Sequence, residues 1–189
     1  MLSDRLFRAA LPAAALAAVL ALSSCQVRPL YGGVQGAALN AKMHELAFNT
    51  PSTPVAQAVL NELIFLTGGG KGESLDPKYD VSVTAYAVTT DVLVNDSSDT
   101  ADAGRTIVTA DFSVRRRSDS KLLASGQRRA TALVDFPSQE FAKQRAIRDA
   151  ERRAAREVAE IINADIAIAL NTEPPEELPP APGTDKPLK

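Results

Sequence analysis

The only cysteine in the 189-residue chain, Cys25, directly follows Leu22-Ser23-Ser24. Upstream lie a short basic opening, with Arg5 and Arg8, and an apolar run from Ala9 to Leu22. This pattern is a bacterial lipobox. The small residues at 23 and 24 suit a narrow peptidase site, and the thiol of Cys25 is the nucleophile that takes a diacylglyceryl group before cleavage. A membrane-spanning helix needs about 20 apolar residues, whereas this run is shorter and contains Pro12. A secreted chain with one leftover free thiol would be unusual, because such thiols pair or react. The pattern therefore predicts a lipoprotein signal peptide over 1–24 and a covalent lipid on Cys25, with no other cofactor. Each buried methylene of an acyl chain contributes about 0.8 kcal/mol, so two or three chains hold a protein firmly to a bilayer.

Other catalytic chemistry has little material. With His44 the single histidine, His/Cys metal sites, Cys/His pairs and Ser/His/Asp triads lack their parts. The expectation is a protein that is not an enzyme. The aspartates of the stretch 95–104, Asp96, Asp99 and Asp102, match no calcium-loop spacing, so no metal is expected.

The formal charge of −2 conceals a strong asymmetry along the chain. Glu73, Asp76, Asp80, Asp91, Asp96, Asp99 and Asp102 face Lys78 alone, whereas from Arg105 to Arg156 thirteen Lys or Arg stand against six Asp or Glu. In the cytosol such a basic half would suggest nucleic acid. Export favours a different polyanion, phosphorylated lipid, and no nucleic acid.

Hydropathy patterns supply the elements that would position these groups. Residues 25–38, with Pro29, Gly32, Gly33 and Gly36, read as a tether from the anchor. Partial alternation predicts a first strand over 39–49. Thr53-Pro54 is a helix start, and Gly68-Gly69-Gly70 ends that helix. Tyr79, Val81, Val83, Ala85 and Ala87 alternate as a half-buried strand. The apolar parity then moves to Val88, Val92 and Val94, which predicts a bulge near 87–89. Residues 95–104 read as a polar loop.

Strands over 105–117 and 122–134 follow, joined by the turn Ser118-Asp119-Ser120. Gly126 marks a bulge or close approach. Pro137-Ser138 opens the last helix with Ser138 as N-cap. Its ridge of Ala142, Ala146, Ala150, Ala154, Val158, Ile162, Ile166 and Leu170 recurs every four residues, broadened by Phe141. Arg153 with Glu157, and Arg156 with Glu160, are spaced to pair. Residues 172–189, rich in proline, read as a disordered tail.

The result is an α+β domain over 39–171 in β-α-β-β-β-α order. Its four-stranded, mostly antiparallel sheet carries two helices on one face, the other face being open.

The lipobox, the Cys25-Gln26-Val27-Arg28-Pro29-Leu30-Tyr31-Gly32 opening, this element order, and an alanine-rich final helix entered after Phe136-Pro137 together resemble the LptE family. The match is nearest its alphaproteobacterial type and covers residues 1 to about 170. The resemblance implies a lipopolysaccharide-assembly lipoprotein that plugs an outer-membrane β-barrel, LptD, supports that barrel's assembly and binds lipopolysaccharide. Gln26, rather than Asp, after the lipidated cysteine agrees with an outer-membrane, periplasm-facing location.

In that setting the candidate lipopolysaccharide-binding residues are Arg115, Arg116, Arg117 and Lys121 at the hairpin tip, with Arg128 and Arg129 on the return strand. Guanidinium groups make charge-assisted, often bidentate contacts to phosphate. The same charges could instead guard a strand edge against aggregation. Arg128 has inward parity unless Gly126 shifts the register. A second stripe, Arg145, Arg148, Arg152 and Arg156, reads as a solvated helix face or a contact with the barrel wall. A functional alternative is the auxiliary lipoprotein of an ABC-type lipid or solvent transporter.

Overall fold

The computed structural model describes residues 33–95 and 100–173. The expected signal peptide, Cys25, the first part of the tether, Asp96, Asp99 and the tail from 174 lie outside the described residues. The order is α1 (Gly33–Met43), β1 (Leu46–Phe48), α2 (Pro54–Gly68), β2 (Tyr79–Asn95), β3 (Thr100–Arg116), β4 (Leu122–Asp135) and α3 (Glu140–Asn171). The strands lie in the order β1-β2-β3-β4. β1 runs parallel to β2, and the other pairs are antiparallel. This is the expected α+β sheet with helices on one face, extended by one helix at the start.

That helix is a correction. The segment 39–43 is helical rather than strand, and α1 starts at Gly33, inside the stretch read as a tether. Gly36, Leu39 and Met43 are its buried positions, a three- and four-residue spacing that belongs to a helix. Only Leu46–Phe48 remains strand, and the side chain of Asn49 continues it. Its Nδ2 donates to the Val83 carbonyl at 3.0 Å and its Oδ1 accepts from the Val83 N–H at 2.7 Å.

The Thr53 cap forms as expected: Oγ1 accepts from the Ala56 N–H at 3.0 Å and donates to the Ala85 carbonyl at 2.9 Å. One hydroxyl thus fixes both the start of α2 and its seat on β2. Gly69, in the left-handed conformation at φ 56°, closes the helix.

The β2–β3 hairpin is longer than expected. β3 begins at Thr100, so most of the expected loop 95–104 is ladder. The register runs without interruption from Tyr79 opposite Arg116 to Asp91 opposite Gly104, and the shifts fall at Asp91/Leu93 and Leu93/Val94 rather than near 87–89. Val88 is therefore exposed, on the sheet face away from the helices.

Alternation assigns the two faces. Val81, Val83, Ala85, Val108, Ala110, Phe112, Val114, Ala130, Ala132 and Val134 are buried beneath the helices. The ridge of α3 fills that space: Ala150, Ala154, Val158, Ile162, Ile166 and Leu170 are all fully buried. Each large aliphatic side chain so buried contributes about 1.5–3 kcal/mol, more than an exposed ion pair at about 0–1 kcal/mol. Packing, not surface charge, therefore holds α3 to the sheet.

Two expectations at the start of α3 fail. Gln139, not Ser138, is the N-cap and makes no side-chain cap bond, and Phe141 points into solvent. The helix entry is fixed instead by Phe136, whose N–H donates to the Asp102 carbonyl at 2.9 Å. Its ring lies against Gly104, where an added Cβ would overlap the ring atoms. Gly104→Ala should destabilise the fold by about 1–3 kcal/mol, the usual cost of overpacking. Urea denaturation of Gly104→Ala, Phe136→Ala and the double variant tests this. Most of the glycine substitution's cost should disappear once Phe136 is truncated, and a fully additive cycle would refute the contact.

Candidate anion-binding site

The β3–β4 turn brings the tip cations together but gives them different surroundings. Strand parity turns Arg115 to the open face and Arg116 to the helix face, where Arg116 is only 5% exposed. Asp119 organises the turn. Its Oδ1 accepts from the Lys121 N–H at 3.1 Å and its Oδ2 from Arg116 Nη1 at 3.0 Å. Ser120 takes the left-handed conformation at φ 56°, and its carbonyl accepts from Arg115 Nη1 at 3.2 Å. Arg117 pairs with Asp80, Nη2 to Oδ1 at 2.7 Å.

On β4, Arg128 keeps its inward parity and forms a bidentate pair with Asp165 of α3, at 2.7 and 3.1 Å. Its guanidinium lies 5.9 Å from the centre of the Phe112 ring. Gly126 makes room there, since a Cβ would stand 3.3 Å from that ring. Arg129, on the open face, donates to Gln127 Oε1 at 2.8 Å.

Of the six cations singled out by sequence, Arg116, Arg117 and Arg128 are thus engaged by carboxylates. Arg115, Lys121 and Arg129 are exposed and have no carboxylate partner among the described residues.

The most tightly held group at this pole was read from sequence as part of the tail. Glu173, just past the end of α3, accepts from Lys42 Nζ of α1 at 2.7 Å, Tyr79 Oη of β2 at 2.7 Å and Arg116 Nε of β3 at 2.6 Å. The Arg116 and Glu173 side chains are 6% and 8% exposed. Burial by itself would raise the Glu173 carboxyl pKa, but the hydrogen bonds from Lys42, Tyr79 and Arg116 outweigh it and hold the group below its ordinary value. Burial, and then the bond to Glu173, push the Tyr79 phenol above its ordinary range. The available signal was Tyr79 itself: an inward-facing tyrosine needs a partner for its hydroxyl.

Among the described residues no helix covers the open face of the sheet. Three registered residues form each of its rows: Ser82, Ser113 and Ser125; Thr84, Asp111 and Gln127; Tyr86, Thr109 and Arg129; Val88, Ile107 and Thr131. Tyr86, Val88 and Leu133 are exposed, Leu133 at 69%. The row nearest the turn sets Asp80 beside Arg115, the next rows carry hydroxyl and other polar groups up to Arg129, and the far rows mix Val88 and Leu133 with Arg105. The stripe Arg145, Arg148, Arg152 and Arg156 is exposed on α3. Neither expected helix pair forms; Arg152 and Arg153 meet Asp149 instead, at 3.6 and 3.0 Å. Among the described residues no helix is long and apolar enough to cross a membrane, and no group of three His, Cys, Asp or Glu is placed to hold a metal.

A family model described as LptE, lipopolysaccharide-assembly, matches residues 36–166. No curated protein matches the chain by sequence. Among solved structures, a protein from Caulobacter crescentus CB15 described as a lipoprotein aligns with a TM-score of 0.59 at 14% identity, over 72% of this chain and 98% of that one. Rare lipoprotein B from Shewanella oneidensis aligns at 0.46 and 13% identity, over 66% and 92%. The first supports the fold; the second is too distant to carry an argument.

The Glu173 cluster has a pH signature. A carboxyl depressed in the fold adds stability that is present above its ordinary value of 4.5 and is lost as pH falls through the lower folded value. A raised phenol adds stability present below 10.0 and lost as pH rises past it. Denaturation across pH should show a plateau between about 5 and 10 with a fall on each side. Glu173→Gln should lower the plateau by about 1–3 kcal/mol and flatten the acid fall. An unchanged acid limb would count against the cluster.

Proposed function

The chain belongs to the LptE family of lipopolysaccharide-assembly proteins, and from that membership we propose that it is an outer-membrane lipoprotein working with the LptD β-barrel. In this reading it is anchored through lipid on Cys25, faces the periplasm, plugs and helps assemble the barrel, and binds lipopolysaccharide on its way to the outer leaflet. The family is non-enzymatic.

The observation that carries the reading is the extent of the family match: residues 36–166 contain β1 to β4, α2 and most of α1 and α3. The open sheet face supports it, since a sheet with one bare face has somewhere for a large partner to lie. The lipid A phosphates would meet Arg115, Lys121 and Arg129, whose cationic groups face solvent without a carboxylate among the described residues. Arg116 and Arg128 serve the same site from the helix side, through Glu173 and Asp165, and Arg117 ties the turn to Asp80 of β2.

Affinity capture of the tagged protein from detergent-solubilised outer membranes should bring down a large β-barrel in equal amount. Recovery of an inner-membrane permease or ATPase instead would transfer the chain to the transporter-accessory class. Reversing the charge of Arg115, Lys121 and Arg129 together should reduce lipopolysaccharide affinity by about tenfold or more, since charge-assisted contacts are worth about 1.5–3 kcal/mol each. The melting temperature should move little, because these groups are exposed. Unchanged affinity would remove the open-face tip as the lipid site.

A further inference from the structure

We infer that the cradle of Lys42, Tyr79 and Arg116 is a phosphate-binding site that Glu173 occupies from within the chain. Three donors from three different elements converge on one carboxylate: Lys42 and Tyr79 on Oε2, Arg116 on Oε1. Two of the three donors are cations. A phosphate monoester carries about −1.5 to −2 and three acceptor oxygens, a closer match to three converging donors than the two oxygens of Glu173.

The cradle does not depend on Glu173 for its shape, because each donor has a second restraint. Lys42 Nζ also donates to the Leu170 carbonyl at the end of α3, at 3.0 Å. Arg116 Nη1 is held by Asp119 at 3.0 Å. Tyr79 is buried in the core. Glu173, in contrast, lies outside the helical ladder and is held through its side chain. The helix closes one residue earlier, where the Thr172 N–H donates to the Ile168 carbonyl at 3.0 Å. Swinging Glu173 outward therefore exchanges its three side-chain hydrogen bonds for those of the incoming anion and breaks no helical one.

There is also an entrance. The Lys42 side chain is 37% exposed, and a cavity of about 300 Å³ lined by Ala38, Leu39, Lys42, Leu170 and Asn171 opens beside it. An anion entering there reaches Lys42 of the cradle, where Glu173 competes with it at high local concentration. Glu173 is thus a built-in competitor, and release of phosphate is coupled to its return. The phosphate site rests on geometry alone. That its occupant is a lipid A phosphate rests on the proposed function.

Calorimetric titration of the full chain with inorganic phosphate tests the site, comparing wild type, Glu173→Gln and Glu173→Gln/Lys42→Gln. The amide keeps the shape of the side chain and removes the competing charge. Phosphate affinity should rise by about tenfold or more in Glu173→Gln, as expected when a charge-assisted competitor is withdrawn, and the gain should vanish in the double variant. No gain in a variant with a native circular dichroism spectrum, or a gain that survives loss of Lys42, overturns the inference.

Should Glu173→Gln be too unstable to titrate, phosphate should raise its melting temperature more than that of wild type; an equal rise overturns the inference. A parallel titration uses vesicles containing diphosphorylated lipid A or its fully dephosphorylated form. Tighter binding of Glu173→Gln only to the phosphorylated vesicles identifies lipid A as the source. A gain with inorganic phosphate and none with either vesicle keeps the site and overturns lipid A as its ligand.

Discussion

The close contact between the alanine ridge of α3 and the small residues of β3 and β4 sets the geometry of everything else. Ala150, Ala154, Ala155 and Ala159 on the helix, and Ala110, Ala130 and Ala132 on the sheet, are all buried. Small side chains on both sides allow the backbones to approach closely, and interiors packed at crystal density do not absorb added methylenes easily. A helix of 32 residues is about 48 Å long. Once its register on the sheet is fixed, both its ends are fixed too. The first turn must meet Phe136 and Gly104, and the last must deliver Leu170 and Glu173 to Lys42 and Arg116. The site at the pole is therefore a product of packing far from it.

Strand parity, the Thr53 cap and the four-residue ridge were legible in the sequence because each is a local rule with one physical cause. The first helix was not. Gly-Val-Gln-Gly-Ala-Ala-Leu-Asn-Ala-Lys-Met holds two glycines and few large apolar residues, so its buried Gly36, Leu39 and Met43 make only a faint stripe. Tertiary contact with α2 and α3 stabilises it, and isolated short helices are marginal without such contact. The misplaced bulge has a different cause. Reading apolar as inward fails on a sheet whose open face itself carries Tyr86, Val88 and Leu133. The departure from the rule marks the face that no helix covers among the described residues, which is where departures of this kind carry functional meaning.

The charge asymmetry along the chain illustrates how sequence and space differ. An acidic segment followed by a basic one suggests a strongly polarised surface. Antiparallel pairing instead lays the two against each other. Asp80 of β2 meets Arg117 beyond β3, and Lys78 meets Glu45 across the β1 side. Glu173, from the segment read as tail, neutralises Arg116 and Lys42 together. A cation count thus overstates the field at the hairpin tip, and only the cations not ion-paired among the described residues are available to an external anion. Among the exposed candidates those are Arg115, Lys121 and Arg129, a smaller set than the run of arginines suggests.

The two explanations for arginine on the return strand, anion binding and edge protection, apply to different residues. β4 is the last strand of the sheet, and an uncovered edge of 14 residues invites pairing with another chain. Two of its carbonyls are taken by guanidinium groups: Gln127 by Arg128 Nη1 at 2.9 Å, and Leu133 by Arg153 Nη2 of α3 at 2.9 Å. Arg128 is at the same time tied to Asp165, and Arg153 to Asp149, so the caps are anchored to the helix rather than to solvent. The edge is blunted by side chains that belong to the core side, while Arg129 is the arginine of that strand that turns to the open face. A partner that approaches this sheet therefore meets a guarded edge and a bare face, and the face is where association costs least.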